Sequence, residues 1–270
     1  MKEVDKHYFR GISSLVNEHN YNVSRYDNYP FITIDNINDQ SMHEHVFTLL
    51  HSDSYCVIQM TKQDLTASEK VEQLLTYLLG KPICDKNPGK YSFAKVQAEE
   101  HGKHYINSHL AQPMHTDEGY TNQYPRYIAL YCIKAASTGG DSILVPIKPL
   151  YTTLLRQFNA QLEALFDKNA ITIQNAYGVE NKAILIKLHD DKIGISYSPI
   201  LQKMRCTEEV FQMFDFITQY IHDQQHQCRF KLKPGQILLL DNCQMLHGRT
   251  AFAKETNRLL YRYWFASSYL

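Results

Sequence analysis

The chain has no excess charge of either sign: 28 basic and 28 acidic side chains cancel over 270 residues. A domain that grips nucleic acid needs a basic face, so nucleic acid is not an expected partner. Long apolar runs are missing too. No stretch approaches the roughly 20 residues of a membrane helix, so no membrane is expected as a partner. The opening residues, MKEVDKHYFRGISS, lack the apolar core of a secretory leader. None of the six cysteines (Cys56, Cys84, Cys132, Cys206, Cys228, Cys243) forms a CxxC pair. Such scattered cysteines suggest buried or partly buried thiols in a reducing compartment, the cytoplasm, not a disulfide framework or zinc site. Tryptophan is reduced to one copy against 19 tyrosines. The tyrosines read first as packing and second as an aromatic pocket lining. Repeats, low-complexity segments and linkers are also missing, so one domain over 1–270 is expected.

What is present is a strand-rich pattern with inserted helices. Short apolar runs predict strands at 31–35, 55–60, 127–135, 141–146, 170–175, 183–188, 192–197, 228–233, 236–240 and 257–265. Helices are predicted from Asp39 to Leu50, with Asp39 or Ser41 as cap, and from Ser68 to Leu79, where Gly80-Lys-Pro82 stops the chain. Two short helices fall within 149–167, and another, capped by Thr207, runs to Asp223. Part of 12–18 also has helical character. Residues 81–114 are irregular and rich in Lys, His, Tyr and Ser, the profile of an active-site loop or lid.

The segment after that loop, QPMHTDEGY at 112–120, draws the chemistry. In extended chain, alternate side chains share a face, so His115 and Asp117 would point one way and Thr116 the other. With His247 far downstream, they would make a two-histidine, one-carboxylate set, which suits non-haem Fe(II) and leaves positions open for substrate and oxygen. The spacing alone is weak. His51/Asp53 and His189/Asp191 repeat it, and about one match is expected by chance at this composition. His51 reads as the polar end of a helix and His189 as a hairpin turn. Only His115/Asp117 is followed by further pieces in order.

Those pieces are GGDSILV at 139–145, PGQILLLDNCQMLHGR at 234–249 and Arg258. Together with HTD at 115–117 they resemble the taurine dioxygenase-like (TauD/TfdA) family of Fe(II)/2-oxoglutarate oxygenases, over roughly residues 110–265. The resemblance implies a double-stranded β-helix, or jelly-roll, core in a mainly β protein. It implies Fe(II) held by His115, Asp117 and His247, and 2-oxoglutarate as cosubstrate. Arg258, eleven positions after His247, would pair with the distal carboxylate of 2-oxoglutarate through its planar fork, and Ser142 would add a hydroxyl. The reaction implied is oxidative decarboxylation to succinate, with O2 oxidising a C–H bond of a small molecule. Asp117 argues for hydroxylation or related oxidation, because halogenating relatives lack that carboxylate.

Two other classes stay open: a catalytically silent metal-binding β-barrel, and a cupin-like dioxygenase that does not use 2-oxoglutarate. Arg258 and Ser142 count against both. On the last strand, Leu260, Arg262 and Trp264 would share the face of Arg258. A buried Arg262 needs an anionic partner. That partner is either a protein carboxylate or an anionic group of the substrate. Arg262 and Tyr120 are accordingly the candidate substrate-binding residues, for a small polar, anion-bearing substrate such as an amino acid or derivative. Arg249 has no assigned role, and the sequence does not indicate an oligomeric state.

Overall fold

The computed structural model describes residues 1–18, 28–61, 68–83, 92–99, 105–175, 178–199 and 203–266. The chain opens with β1 (Lys2–Asp5), α1 (Lys6–Glu18), β2 (Phe31–Ile34), α2 (Gln40–Asp53), β3 (Tyr55–Met60) and α3 (Ser68–Leu79). Then come β4 (Ala94–Gln97), β5 (Gln112–His115), β6 (Tyr127–Lys134), β7 (Ser142–Pro146), α4 (Ile147–Phe158) and a 3-10 helix at Asn159–Phe166. A strand-rich insert follows: β8 (Ile171–Asn175), β9 (Gly178–Lys182), β10 (Leu185–Lys187), β11 (Ile193–Ile195) and β12 (Lys203–Cys206). The chain closes with α5 (Glu208–His222), β13 (Cys228–Phe230), β14 (Gln236–Asp241), β15 (Met245–Arg249) and β16 (Leu259–Phe265).

Local chemistry accounts for the helix ends. The Asp39 side chain accepts from Ser41 N–H at the start of α2, and Ser54 leaves the helix in a left-handed turn, φ 65°. Thr207 caps α5 through Val210 N–H. Gly80 takes the positive φ that ends α3 and donates to Thr76 O at 2.9 Å.

Two sheets make the jelly-roll core. The larger has the order β2-β3-β14-β6-β16-β4, and the smaller β13-β7-β15-β5. Apolar residues between them, including Val57, Ile128, Leu144, Phe230, Leu238, Met245, Leu260 and Trp264, form the inner core. The outer face of the larger sheet is sealed by α2 and α3 through Val46, Leu50, Val71, Leu74 and Leu75. The outer face of the smaller sheet, with Met114, Ile143, Val145 and Leu246, packs against α1, α4, α5 and a third sheet, β1-β12-β8-β9. Alternation along β16 works as expected: Leu260 and Trp264 face the inner core, while Tyr261, Tyr263 and Phe265 face the helices.

Five strands escaped the periodicity argument: β1, β4, β9, β12 and β15. β9 reads GVENK and is mostly polar, so it joins no apolar run; the strand expected at 183–188 is in fact β10 alone, beginning at Leu185. β15 is buried at all five positions, with no alternation to detect. β1 is short and largely charged. The expected loop at 81–114 is more ordered than its composition suggests. It includes β4, which pairs with β16, and a 3-10 turn at Tyr105–Asn107. Its residues 84–91 and 100–104 lie outside the described set. No helix among the described residues is long and apolar enough to cross a membrane. Five of the six cysteines are described, and all five are free thiols, four of them buried; Cys84 lies outside the described residues.

Candidate active site

Strand register assembles the site. His247 on β15 lies directly across from His115 at the end of β5, and their rings sit 4.3 Å apart, centre to centre. The chain then leaves β5 in a turn that carries Asp117. Two contacts set this turn. The side chain of Asn242 accepts from Asp117 N–H at 2.8 Å and donates to Asp117 O at 3.1 Å and Pro125 O at 2.9 Å. Thr116 N–H donates to Tyr197 O at 2.9 Å. The backbone is tight here: a Cβ on Gly119 would collide with Tyr197 O, and Glu118 holds φ 57°.

Asp117 Oδ1 therefore lies 3.3 Å from His115 Nε2 and 3.7 Å from His247 Nε2. One ligand atom from each of the three residues falls within 4.8 Å of the others, and all three side chains are buried. The protonation chemistry suits a cation. His115 Nδ1 lies 2.9 Å from Pro113 O, which assigns its proton to Nδ1 and leaves the Nε2 lone pair facing the site. Burial, with His115 beside it, pushes the His247 pKa down to about 4, so the ring is neutral. Burial opposes ionisation of Asp117. The charge of Arg262 beside it outweighs that and holds the carboxyl well below the usual range. Two imidazoles and one carboxylate form a donor set that fits a divalent first-row metal such as Fe(II).

A second feature sits at the far end of β7 and β15. Arg258 is buried, and its Nη1 has no hydrogen-bond partner among the described residues. Burial pushes its pKa down to about 10, with Cys132 and Asp141 opposing. A Cβ on Gly140 (φ 70°) would meet Arg258 Cδ and Nε at 3.1 Å, so glycine there makes room for the guanidinium. Arg249 and Arg258 both lie against the Phe252 ring. The two guanidinium carbons are 4.9 Å (Arg249) and 5.4 Å (Arg258) from the Phe252 ring centre. A buried cation with an unused donor is a receptor for an anion. Ser142, buried on β7, lies across from Arg249 in the sheet. Arg249 gains a role here: its Nη2 donates to Ser108 O at 2.9 Å, Leu110 O at 2.6 Å and Tyr105 O at 3.4 Å, tying the end of the 81–114 segment to β15.

Comparison with known proteins agrees with this geometry. The family model described as "Taurine catabolism dioxygenase TauD, TfdA family" matches residues 32–264. The chain belongs to the TauD/TfdA family. Among curated proteins, a mitochondrial trimethyllysine dioxygenase from Gallus gallus is 26% identical over 167 residues, covering 53% of this chain and 38% of that protein. The chain thus spans about two fifths of that relative's length. Among solved structures, an asparagine oxygenase with Fe(II), hydroxyasparagine and succinate superposes with a TM-score of 0.70, 14% identity, and coverage of 96% of this chain and 90% of that one. The iron oxygenase OrfP, bound to Fe and alpha-ketoglutaric acid, follows at TM-score 0.65, 14% identity, 85% and 81% coverage. The fold is therefore the jelly roll that the resemblance implied.

The structure brings together His115, Asp117, His247 and Arg262. The anionic partner of Arg262 is a protein carboxylate: its Nη1 lies 3.1 Å from Asp117 Oδ2. Tyr120 turns its hydroxyl to Glu118 Oε1 at 2.6 Å and packs against the outer core of the smaller sheet. Four residues around the candidate site escaped the sequence argument: Gln112, whose amide nitrogen is 3.0 Å from His115 Nε2, Asn242, Trp264 and Lys182. Gln112 and Asn242 lie inside quoted motifs, and Trp264 lies on the face assigned to Arg262. Lys182 gives no signal in sequence.

Proposed function

We propose that this chain is an Fe(II)- and 2-oxoglutarate-dependent oxygenase that hydroxylates, or otherwise oxidises, a small polar, anion-bearing molecule such as an amino acid or derivative. One observation carries the reading: a buried His115–Asp117–His247 donor set stands in the same barrel as a buried Arg258 with an unused donor. In this reading His115 and His247 hold the metal through Nε2 and Asp117 through a carboxylate oxygen. Bound Fe(II), 2-oxoglutarate and O2 together supply the oxidising power, with succinate and CO2 as coproducts. The chain supplies placement. Arg258 fixes the distal carboxylate of 2-oxoglutarate, with the Ser142 hydroxyl as a further donor, so that the 2-oxo end points at the metal. The barrel walls keep water from the reacting centre.

The amino-acid class is supported by the related solved structures. One holds hydroxyasparagine, and OrfP has been captured with (3S)-hydroxy-L-Arg. We assign the 81–114 segment as the loop that covers the substrate, anchored at its C-terminal end by Arg249. Five free cysteines fit a reducing compartment, and we place the chain in the cytoplasm.

The test is anaerobic addition of Fe(II) and 2-oxoglutarate, which gives a weak visible charge-transfer band in wild type and none in His247→Ala. Under air, succinate forms and depends on an amino-acid-like substrate. A normal band in His247→Ala would remove that residue from the metal site. A band without succinate across a broad amino-acid screen would favour a catalytically silent metal-binding protein.

A further inference from the structure

We propose that the Trp264 indole, with the Arg262 guanidinium stacked on it, clamps one oxygen of Asp117 and turns the other oxygen to the metal. Trp264 is then a positioning residue of the iron site. This rests on the metal reading above and adds a part to it.

The two carboxylate oxygens of Asp117 face different surroundings. Oδ1 looks toward the two histidine Nε2 atoms, at 3.3 and 3.7 Å. Oδ2 accepts from Trp264 Nε1 at 2.7 Å and lies 3.1 Å from Arg262 Nη1. Arg262 Nη1 straddles the carboxylate: it pairs with Oδ2 and donates its hydrogen bond to Oδ1 at 3.3 Å, so the indole alone hydrogen-bonds Oδ2. Both donors come from β16, two positions apart and so on one face. They are locked to each other as well: the Arg262 guanidinium sits over the Trp264 ring, 4.4 Å from the centre. Trp264 is buried, at 6% exposure, and an indole N–H can only donate. Without Asp117 Oδ2 it would bury an unpaired donor. The indole is thus committed to this one oxygen, and it is the only tryptophan in the chain.

The arrangement has a chemical consequence. A carboxylate with both oxygens free can take two positions on a metal; one whose Oδ2 is held by the indole N–H and paired with the guanidinium offers Oδ1. The protein then contributes three donor atoms, which leaves room for a chelating 2-oxoacid and O2. Arg262 belongs to this clamp. A substrate anion reaching it would have to share the guanidinium with Asp117.

The experiment uses Co(II) as the probe under anaerobic conditions. Trp264→Phe keeps most of the ring volume and removes the N–H. It should fold, weaken Co(II) binding by about 10–100-fold, and change the d–d spectrum toward a higher coordination number as Oδ2 reaches the metal. Arg262→Lys should retain more Co(II) affinity than Arg262→Gln. Wild-type affinity and an unchanged spectrum in Trp264→Phe would overturn the clamp. If Trp264→Phe does not fold, the indole N–H Raman band of the wild type decides. A strongly hydrogen-bonded band that persists on Co(II) loading supports the clamp, and a free N–H in the loaded protein overturns it. Equal Co(II) binding by wild type and His247→Ala would instead refute the metal site itself, a separate outcome.

Discussion

Lys182 offers a test of how the turn carrying Asp117 is held. It is 2% exposed at the end of β9, and its amine donates to Gly119 O and Ser196 Oγ, with Thr121 O at 3.4 Å. Burial pushes its pKa from 10.5 down to about 7, with Glu180 opposing. The folded pKa lies below the unfolded one. Between pH about 7 and about 10 the unfolded chain therefore binds the extra proton, and stability climbs with pH across that window. The displacement sets a ceiling of about 5 kcal/mol on that climb. Lys182→Met keeps the length and removes the amine. The variant loses the hydrogen bonds and strands buried carbonyls, a cost of about 2–4 kcal/mol, but it also loses the cost of burying the ammonium. Near pH 10 the hydrogen bonds decide and the variant is the less stable. Near pH 6 the cost of burying the ammonium, up to about 5 kcal/mol, matches or exceeds the lost hydrogen bonds, so the difference vanishes or reverses. Urea unfolding of both proteins from pH 6 to 9.5 measures this. Parallel stability curves for wild type and Lys182→Met would refute a Lys182 pKa lowered by burial. An unchanged stability at pH 9.5 would refute the hydrogen-bonded role.

Removing the buried cation Arg258 should have opposite effects on stability and function. Arg258→Met relieves a buried guanidinium with an unpaired Nη1, so the metal-free protein should gain about 1–3 kcal/mol in urea unfolding. The same variant should bind 2-oxoglutarate at least about 100-fold more weakly by anaerobic titration, with Co(II) affinity retained; full cosubstrate affinity would point to Arg249 instead. Asn242→Ala removes three hydrogen bonds that hold the Asp117 turn, and should cost about 2–4 kcal/mol. It should also weaken Co(II) binding, and an undisturbed Co(II) site would show that the turn is held by Thr116 and Lys182 alone.

How much of this was legible in sequence depended on the range of the interaction. The caps at Asp39 and Thr207 act within three residues, so their positions could be read directly. The candidate donor set His115, Asp117 and His247, and Arg258 with it, were legible through the ordered motifs that resemble the family, because the spacing alone is weak. Strands without a periodic signal were not. The polar β9 and the wholly buried β15 present no apolar–polar alternation, yet β9 carries Lys182 and β15 carries His247. The last strand shows where the limit lies. Alternation correctly placed Arg262 and Trp264 on the inner face, and burial of a guanidinium correctly required an anion opposite. Which anion depends on two alignments made far away: the pairing of Trp264 with Ile128 in the larger sheet, and of His247 with His115 in the smaller. Only when both registers are set does the Asp117 turn come under β16, and the carboxylate that the argument left unnamed proves to be Asp117, a member of the candidate donor set.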